Sequence, residues 1–311
     1  MPTIVREADT LPEQQARPVP GTGTPLEAVT LGTSSLGRDP GGERLARALV
    51  SGRFRQLDTS NAYAGGHSET LIGRVLGEAG GVTVFSKADR DLETGVFDGD
   101  RVLRSFEETI TRLGVETLPV YHLHDPFTIT VREAMAPGGA VLALVSLREQ
   151  KLVGAIGIAA AGGTLVEDYL RTDAFDAVLT HNRYTLVDRS AEDILRLATE
   201  RGMTVFNAAP FGGGILSGSP RHAGTYGYRE ISPEFGRHVG LVRELCERWQ
   251  IALPAAALHF SLREPRVHST VVGITSVERL EGLDALVDAQ IPDGFWDELA
   301  ALGAPPPSPV D

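Results

Sequence analysis

The sequence predicts a parallel α/β protein. Three observations carry that expectation: eight short apolar runs, helical spacing between them, and an order that alternates the two without interruption. The runs cover residues 29–31, 56–59, 82–86, 120–123, 155–158, 177–179, 204–207 and 270–272. Each is nearly continuous in apolar character, which suits strands covered on both faces. Between runs three and four, Val102, Phe106, Ile110 and Leu113 fall on one helical face, and Gly114 is placed to stop that helix. Leu71, Ile72, Val75 and Leu76 do the same behind Ser68-Glu69, read as an N-cap with an acid in the first turn. Ile194, Leu197 and Ala198 follow Ser190 in the same way, and Gly202 ends them. Alternation alone serves a closed barrel and an open doubly wound sheet equally well.

The ends differ from the middle. Residues 1–26 are rich in proline, glycine and charge and are expected to form an irregular leader. Residues 304–311 carry four prolines and are expected to form a tail. Residues 27–303 then form one domain, because α/β barrels routinely exceed 200 residues.

Bulk properties exclude several function classes. With 311 residues and a net charge of −12, the chain lacks the basic balance that a nucleic-acid backbone requires. It has no apolar run of roughly 18 residues, so no membrane span is expected. Its first residues are too polar and acidic for a signal peptide, and the single cysteine precludes an internal disulfide. A cytoplasmic location is the expectation. Cys246 lies in a helical pattern and reads as a small buried hydrophobe rather than a reactive thiol.

Polar residues stand where apolar runs end. Asp58 ends the second run and Tyr63 follows in its loop; Lys87 follows the third run and His124 the fourth. Singly, each has a plain structural reading, such as an aspartate capping a turn or a solvated lysine. His122, on the other side of its strand from Leu123, is read that way. Jointly, in a barrel, they would converge on one mouth, because the C-terminal ends of barrel strands form the functional face. A tyrosine hydroxyl ionises near pH 10, a neighbouring lysine cation favours the phenolate, and an aspartate holds that lysine charged. A histidine beside them orients a substrate oxygen. Such a group is a general acid/base set without a nucleophile or a metal, as reversible hydride transfer with a nicotinamide needs.

These residues carry a resemblance. Residues 55–63 with Ser68, Glu69, Leu71, Ile72 and Gly73, then Phe85-Ser86-Lys87 and Leu123-His124-Asp125-Pro126, resemble the signatures of the aldo-keto reductase superfamily over about residues 28–290. The resemblance implies a (β/α)8 TIM barrel and gives roles: Tyr63 as proton donor and acceptor, Lys87 and Asp58 as its tuning pair, His124 as the substrate-orienting group. It also implies a cofactor site. Gly32 and Thr33 would lie near the nicotinamide ribose, with Asp58 and His181 beside the ring. Ala209, Pro210, Phe211, Gly212 and Gly214 resemble the loop over the pyrophosphate. Gly273, Ile274, Thr275, Ser276 and Arg279 resemble the phosphate loop and helix start, where backbone N–H groups and a guanidinium suit an anion. The cofactor implied is NADP or NAD, with the planar fork of Arg279 favouring NADP.

Departures from the family pattern fall at the cofactor: Ala159-Ala160 replaces a Ser-Asn pair, His181 beside Asn182 replaces a glutamine, Ala208 stands at an aromatic's place and Leu283 at an asparagine's. The four catalytic positions are untouched. Segments 97–107, 183–186 and 207–212 are similar to the aldose 1-dehydrogenase branch, whose L-fucose and D-threo-aldose dehydrogenases oxidise the anomeric carbon to a lactone. The small-molecule substrate expected is therefore an aldose, met by Asn61, His124, Asp125 and Arg183. The alternatives are a general carbonyl reductase, a non-catalytic nicotinamide-binding redox sensor, and an aldolase using Lys87 as a Schiff-base nucleophile. The last needs Lys87 neutral, which Asp58 would oppose.

Overall fold

Each of the eight apolar runs becomes a strand, and the first pairs with the last. A computed structural model describes residue 19, residues 22–219, residue 222 and residues 224–310. In chain order the strands are β1 (Val29–Gly32), β2 (Gln56–Asp58), β3 (Thr83–Ala88), β4 (Leu118–His124), β5 (Val153–Ala159), β6 (Ala177–His181), β7 (Thr204–Ala208), the hairpin strands β8 (Thr225–Tyr226) and β9 (Arg229–Glu230), and β10 (Ser269–Gly273). All but β8 and β9 form one closed barrel, and every pairing in it is parallel. Closure lies between β1 and β10, with Val29 opposite Thr270 and Gly32 opposite Gly273. An open sheet would leave those edges unpaired, so the fold is the (β/α)8 barrel.

Two cores explain why the strands do not alternate. Inward residues Phe85, Val120, Ala155, Ala177, Leu179, Phe206 and Val271 form one buried cluster. Outward residues such as Leu31, Leu57, Val84, Tyr121, Ile156, Val178 and Val272 join a second cluster with the helices. A strand apolar on both faces has no period-2 signal. His122 points inward, fully buried against Phe206, with ring centroids 5.7 Å apart. Neither ring nitrogen has a hydrogen-bond partner, and burial pushes its pKa down to about 3. Gly157 on β5 makes room for it, since a Cβ there would strike the imidazole. The barrel's lower end is filled by Val19 and Leu26. Of the expected irregular leader, residues 1–18, 20 and 21 lie outside the described residues; residues 22–27 form neither helix nor strand.

The helix expected around Val102–Leu113 is Gly99–Leu113. Asp98 caps it by accepting from the Arg101 N–H, and Gly114 ends it at φ 67°. Two expected caps are corrected. The helix His67–Leu76 begins after Gly66 in a left-handed turn, not at Ser68. The Ser68 hydroxyl is engaged elsewhere, 2.9 Å from both Thr33 Oγ1 and Thr59 Oγ1. Likewise Ala191, not Ser190, precedes the helix Glu192–Glu200. The Ser190 hydroxyl accepts from Arg183 instead, and Asp188 takes the Ser190 N–H. Cys246 is buried in the helix Pro233–Arg248, and burial pushes its thiol up to about 11. The C-terminal residues 304–310 form no helix or strand but are not free. Ser308 donates to Asp188, and the Val310 carbonyl accepts from Arg183. Among the described residues, no helix is long and apolar enough to cross a membrane.

Candidate active site

A cavity of about 570 Å³ opens at the C-terminal ends of the barrel strands, within the size range of ligand sites. Asp58, Tyr63, Lys87 and His124 all line it. Lys87 is almost fully buried; its Nζ donates to Asp58 Oδ2 at 2.6 Å and to the Thr59 carbonyl at 2.7 Å. Burial opposes the ammonium, but Asp58 and the other charges around it outweigh burial and hold its pKa above the ordinary lysine value. A lysine held this firmly charged is no Schiff-base nucleophile, and the aldolase alternative falls.

Tyr63 sits on a tight turn in which Ala64, Gly65 and Gly66 all have positive φ. The Lys87 ammonium lies 4.9 Å from the centre of its ring. The sequence suggested a phenol made more acidic by lysine. Burial wins instead, pushing the hydroxyl up to about 12 while Lys87 pulls the other way. Tyr63 is thus held as a protonated donor at neutral pH.

The turn is anchored from below by Asn61. Its side chain donates to the Ser105 carbonyl and Glu108 and accepts from Arg101 at 2.8 Å; its carbonyl takes Arg112 at 3.0 Å. Arg112 pairs with Glu69, which is fully buried and accepts from Ser86 at 2.7 Å. Asn61, expected to meet substrate, is therefore consumed by this scaffold. Arg183 is also directed away, toward the Ala161 carbonyl, Ser190 and Val310.

His124 crosses Tyr63 edge to face, with ring centroids 5.7 Å apart. Its Nδ1 lies 2.7 Å from Asp89 Oδ1, a residue that sequence reasoning passed over. The signal was available: Asp89 stands two residues after Lys87, on the same strand face by parity. Asp89 is 6% exposed. Burial would raise its pKa, but His124, Ser60 and the Ala62 N–H hold it below the ordinary value. In turn, Asp89 outweighs burial to raise that of His124.

The rest of the lining is made differently. Asp125 after β4, Asn182 after β6 and Ala209 after β7 all have positive φ, unusual for residues other than glycine. All three line the cavity. Asp125 Oδ1 and Asn182 Oδ1 are buried without any hydrogen-bond partner among the described residues. His181 lines it too, its Nδ1 3.1 Å from Asn182 Nδ2, and burial lowers its pKa.

Of the residues expected at the cofactor, Gly32, Thr33, Asp58, His181, Ala209, Phe211, Gly214, Gly273, Thr275 and Arg279 line the cavity. Pro210, Gly212, Ile274 and Ser276 do not. Gly212 backs onto Tyr226, Ile274 is buried in the outer core, and Ser276 caps the helix Val277–Val287 by accepting from the Arg279 N–H. Pro210 is buried beside them. Ser34, Ser217, His222 and Tyr228 also line the cavity and were not anticipated. Their loops have no periodic sequence signal. Gly213 and Gly214, at φ 70° and 112°, turn backbone toward the cavity as no side-chain-bearing residue readily would. Backbone glycines, a helix start and a free guanidinium fit a dinucleotide's phosphates. Where the family pattern has Ser-Asn, Ala159 and Ala160 carry no polar side-chain atom, while His181 and Asn182 line the same cavity.

Comparison with known proteins agrees with this architecture. The model of the Aldo/keto reductase family matches residues 28–304. Pyridoxal 4-dehydrogenase of Microbacterium luteolum is 27% identical, covering 94% of this chain and 98% of its own length. D-threo-aldose 1-dehydrogenase of a Pseudomonas species is 31% identical over 66% of this chain and 62% of its own. Among solved structures, the holo form of the aldo-keto reductase AKR11C1 of Bacillus halodurans superposes with a TM-score of 0.77. It is 19% identical and covers 92% of this chain and 95% of its own.

Proposed function

Since the chain belongs to the aldo/keto reductase family of oxidoreductases, we propose that it is a nicotinamide-dependent dehydrogenase that oxidises a small aldose at C1. One observation carries the substrate class. Asp125, beside His124, and Asn182, after β6, line the cavity, and among the described residues each carries a buried acceptor oxygen without a donor. Leaving such groups unpaired costs about 1–3 kcal/mol each. A polyhydroxylated substrate brings the missing donors; an apolar aldehyde brings none. The similarity to D-threo-aldose 1-dehydrogenase supports the same class.

In this reading Gly213, Gly214, Gly273, Thr275 and Arg279 hold the cofactor's phosphates, and Arg279 reads a 2′-phosphate, favouring NADP. A bound nicotinamide supplies the hydride donor or acceptor. Tyr63 gives its proton to the carbonyl oxygen in reduction and takes it back in oxidation. Lys87, fixed by Asp58, offsets the charge as the phenolate forms. His124 orients the same oxygen.

The test is a spectrophotometric screen at 340 nm, pairing NAD and NADP with L-fucose, D-arabinose, L-galactose, pyridoxal and benzaldehyde in both directions. Higher kcat/KM for an aldose supports the reading. Much higher efficiency for apolar aldehydes than for every aldose defeats the sugar assignment and leaves a general carbonyl reductase. Cofactor binding without turnover of any substrate would favour a redox sensor.

A further inference from the structure

We infer that Asp89 is a positioning residue that locks His124 with its Nδ1 proton inward, so that Nε2 alone meets the substrate oxygen and donates to it only while that nitrogen is protonated. The inference deepens the hydride-transfer reading and rests on it for its kinetic consequence, but not for its structural part.

Asp89 joins three strand ends. Its Oδ1 takes His124 Nδ1 at 2.7 Å, and its Oδ2 takes the Ala62 N–H at 2.9 Å and the Ser60 hydroxyl. Its own N–H donates to Ser105 Oγ and its carbonyl accepts from Arg101 Nε. The carboxylate therefore ties the turn that carries Tyr63 to the strand that carries His124. An ionised carboxylate only accepts hydrogen bonds, so the ring nitrogen facing it carries a proton. Ser60 Oγ, 3.2 Å from the same nitrogen, donates its own hydrogen to Asp89 and can only accept there as well.

One consequence follows for Nε2. With both nitrogens protonated, Nε2–H donates to a carbonyl oxygen, as reduction requires. With Nε2 bare, the ring has no hydrogen to give that oxygen, while in the reverse direction the alcohol's single hydroxyl hydrogen goes to Tyr63. Asp89 thus fixes which nitrogen meets the substrate and sets the pH above which the ring can no longer donate. The groups around His124 act in both senses. Asp89 after β3 and Asp125 beside it in the chain, 3.8 Å from Nε2, favour the charged ring. Lys87 of β3 opposes it. Tyr63 is held protonated, and His122 beneath and His181 after β6 are held toward their neutral forms by burial. Of the carboxylates among the described residues, Asp89 alone touches Nδ1, so removing its charge should dominate.

The test uses the full chain with 15N-labelled histidine. Imidazole nitrogen shifts, read without cofactor or substrate, report both tautomer and titration. Expected are a protonated Nδ1 on both sides of the His124 titration, a midpoint above the ordinary 6.5, and a fall of about one pH unit or more in Asp89→Asn. The pH at which reductive kcat/KM falls off should move down with it, with Asp89→Glu restoring part of the shift. A purely structural Asp89 would lower turnover without moving either midpoint. A bare Nδ1 in the wild type, or an unmoved titration in Asp89→Asn, overturns the inference. The wild-type tautomer decides it even if the variant fails to fold. Absence of hydride transfer by the wild type would defeat the functional reading while leaving the tautomer result standing.

Discussion

The two halves of the cavity wall are built on opposite principles. On the side of β2, β3 and β4, every working side chain is spoken for: Lys87 by Asp58 and the Thr59 carbonyl, His124 by Asp89, and the Tyr63 turn by Asn61, Arg101 and Arg112. On the side of β6, β7 and β10, the wall is glycine backbone and left-handed residues, and the acceptor of Asn182 has no partner. Proton transfer depends on fixed charges aimed at a reacting atom, so that side is organised before anything binds. Recognition of a ligand leaves donors and acceptors unmatched until the ligand supplies their complements. Substitutions on the first side should therefore change turnover and stability of the empty protein, and those on the second should change affinity.

The sharpest break in that contrast is Tyr63→Phe. Turnover should fall by roughly two to four orders of magnitude, while cofactor binding, followed by nicotinamide fluorescence, stays near wild type. Near-normal turnover would remove Tyr63 from the mechanism. Lys87→Met comes next. It strands Asp58 as a buried charge, a loss on the order of 3–5 kcal/mol in chemical denaturation. It also takes away the cation that lowers the phenol's pKa, so the pH–rate profile should move upward. A Lys87 without that role would leave the profile in place.

The other wall gives smaller effects of a different kind. Arg279→Ala should weaken NADP binding about tenfold, the scale of a lost hydrogen bond to a charged group. NAD should be nearly unaffected and melting unchanged. Equal losses for both cofactors would show that Arg279 does not distinguish a 2′-phosphate. Asn182→Gly keeps the left-handed backbone and deletes the unmatched acceptor. Stability of the empty protein should shift by less than about 1 kcal/mol, with KM for an aldose rising several-fold. A marked loss of stability in this variant would mean that Asn182 is structural, and the contrast between the walls would blur.

The same contrast governs what could be read before the fold was known. The strands were legible because burial on both faces leaves unbroken apolar runs, and the convergence of Asp58, Lys87 and His124 on one cavity because each stands at or beside such a run's end, with Tyr63 in the loop after the second. The caps at Ser68 and Ser190 were misread because their hydroxyls bond across the fold, to Thr33 and Thr59 in one case and Arg183 in the other. Local pattern carries no trace of those partners. Asn61 and Arg183 were taken for substrate contacts because a polar residue in a site loop looks alike whether it faces a cavity or a scaffold. Tyr63 shows a further limit: the sign of Lys87's influence was legible, but not that burial exceeds it.

His122 carries a consequence for the molecule's tolerance of acid. An imidazole that takes a proton at 6.5 when unfolded but only at about 3 in the barrel interior makes the unfolded chain the better base between those values. Folding stability then declines as pH falls through that interval, by roughly 1.4 kcal/mol for each unit. Against a native margin of about 5–15 kcal/mol, one silent residue beneath the site withdraws roughly 2 kcal/mol by pH 5, before most surface carboxylates, which titrate at about pH 4, take up a proton. Replacing it with an isosteric apolar ring should flatten the melting curve's dependence on pH below 6 while leaving the neutral limb where it was. The acid edge of this enzyme's working range would then be drawn by a side chain outside the proposed chemistry, seated on the one glycine of β5 that makes room for it.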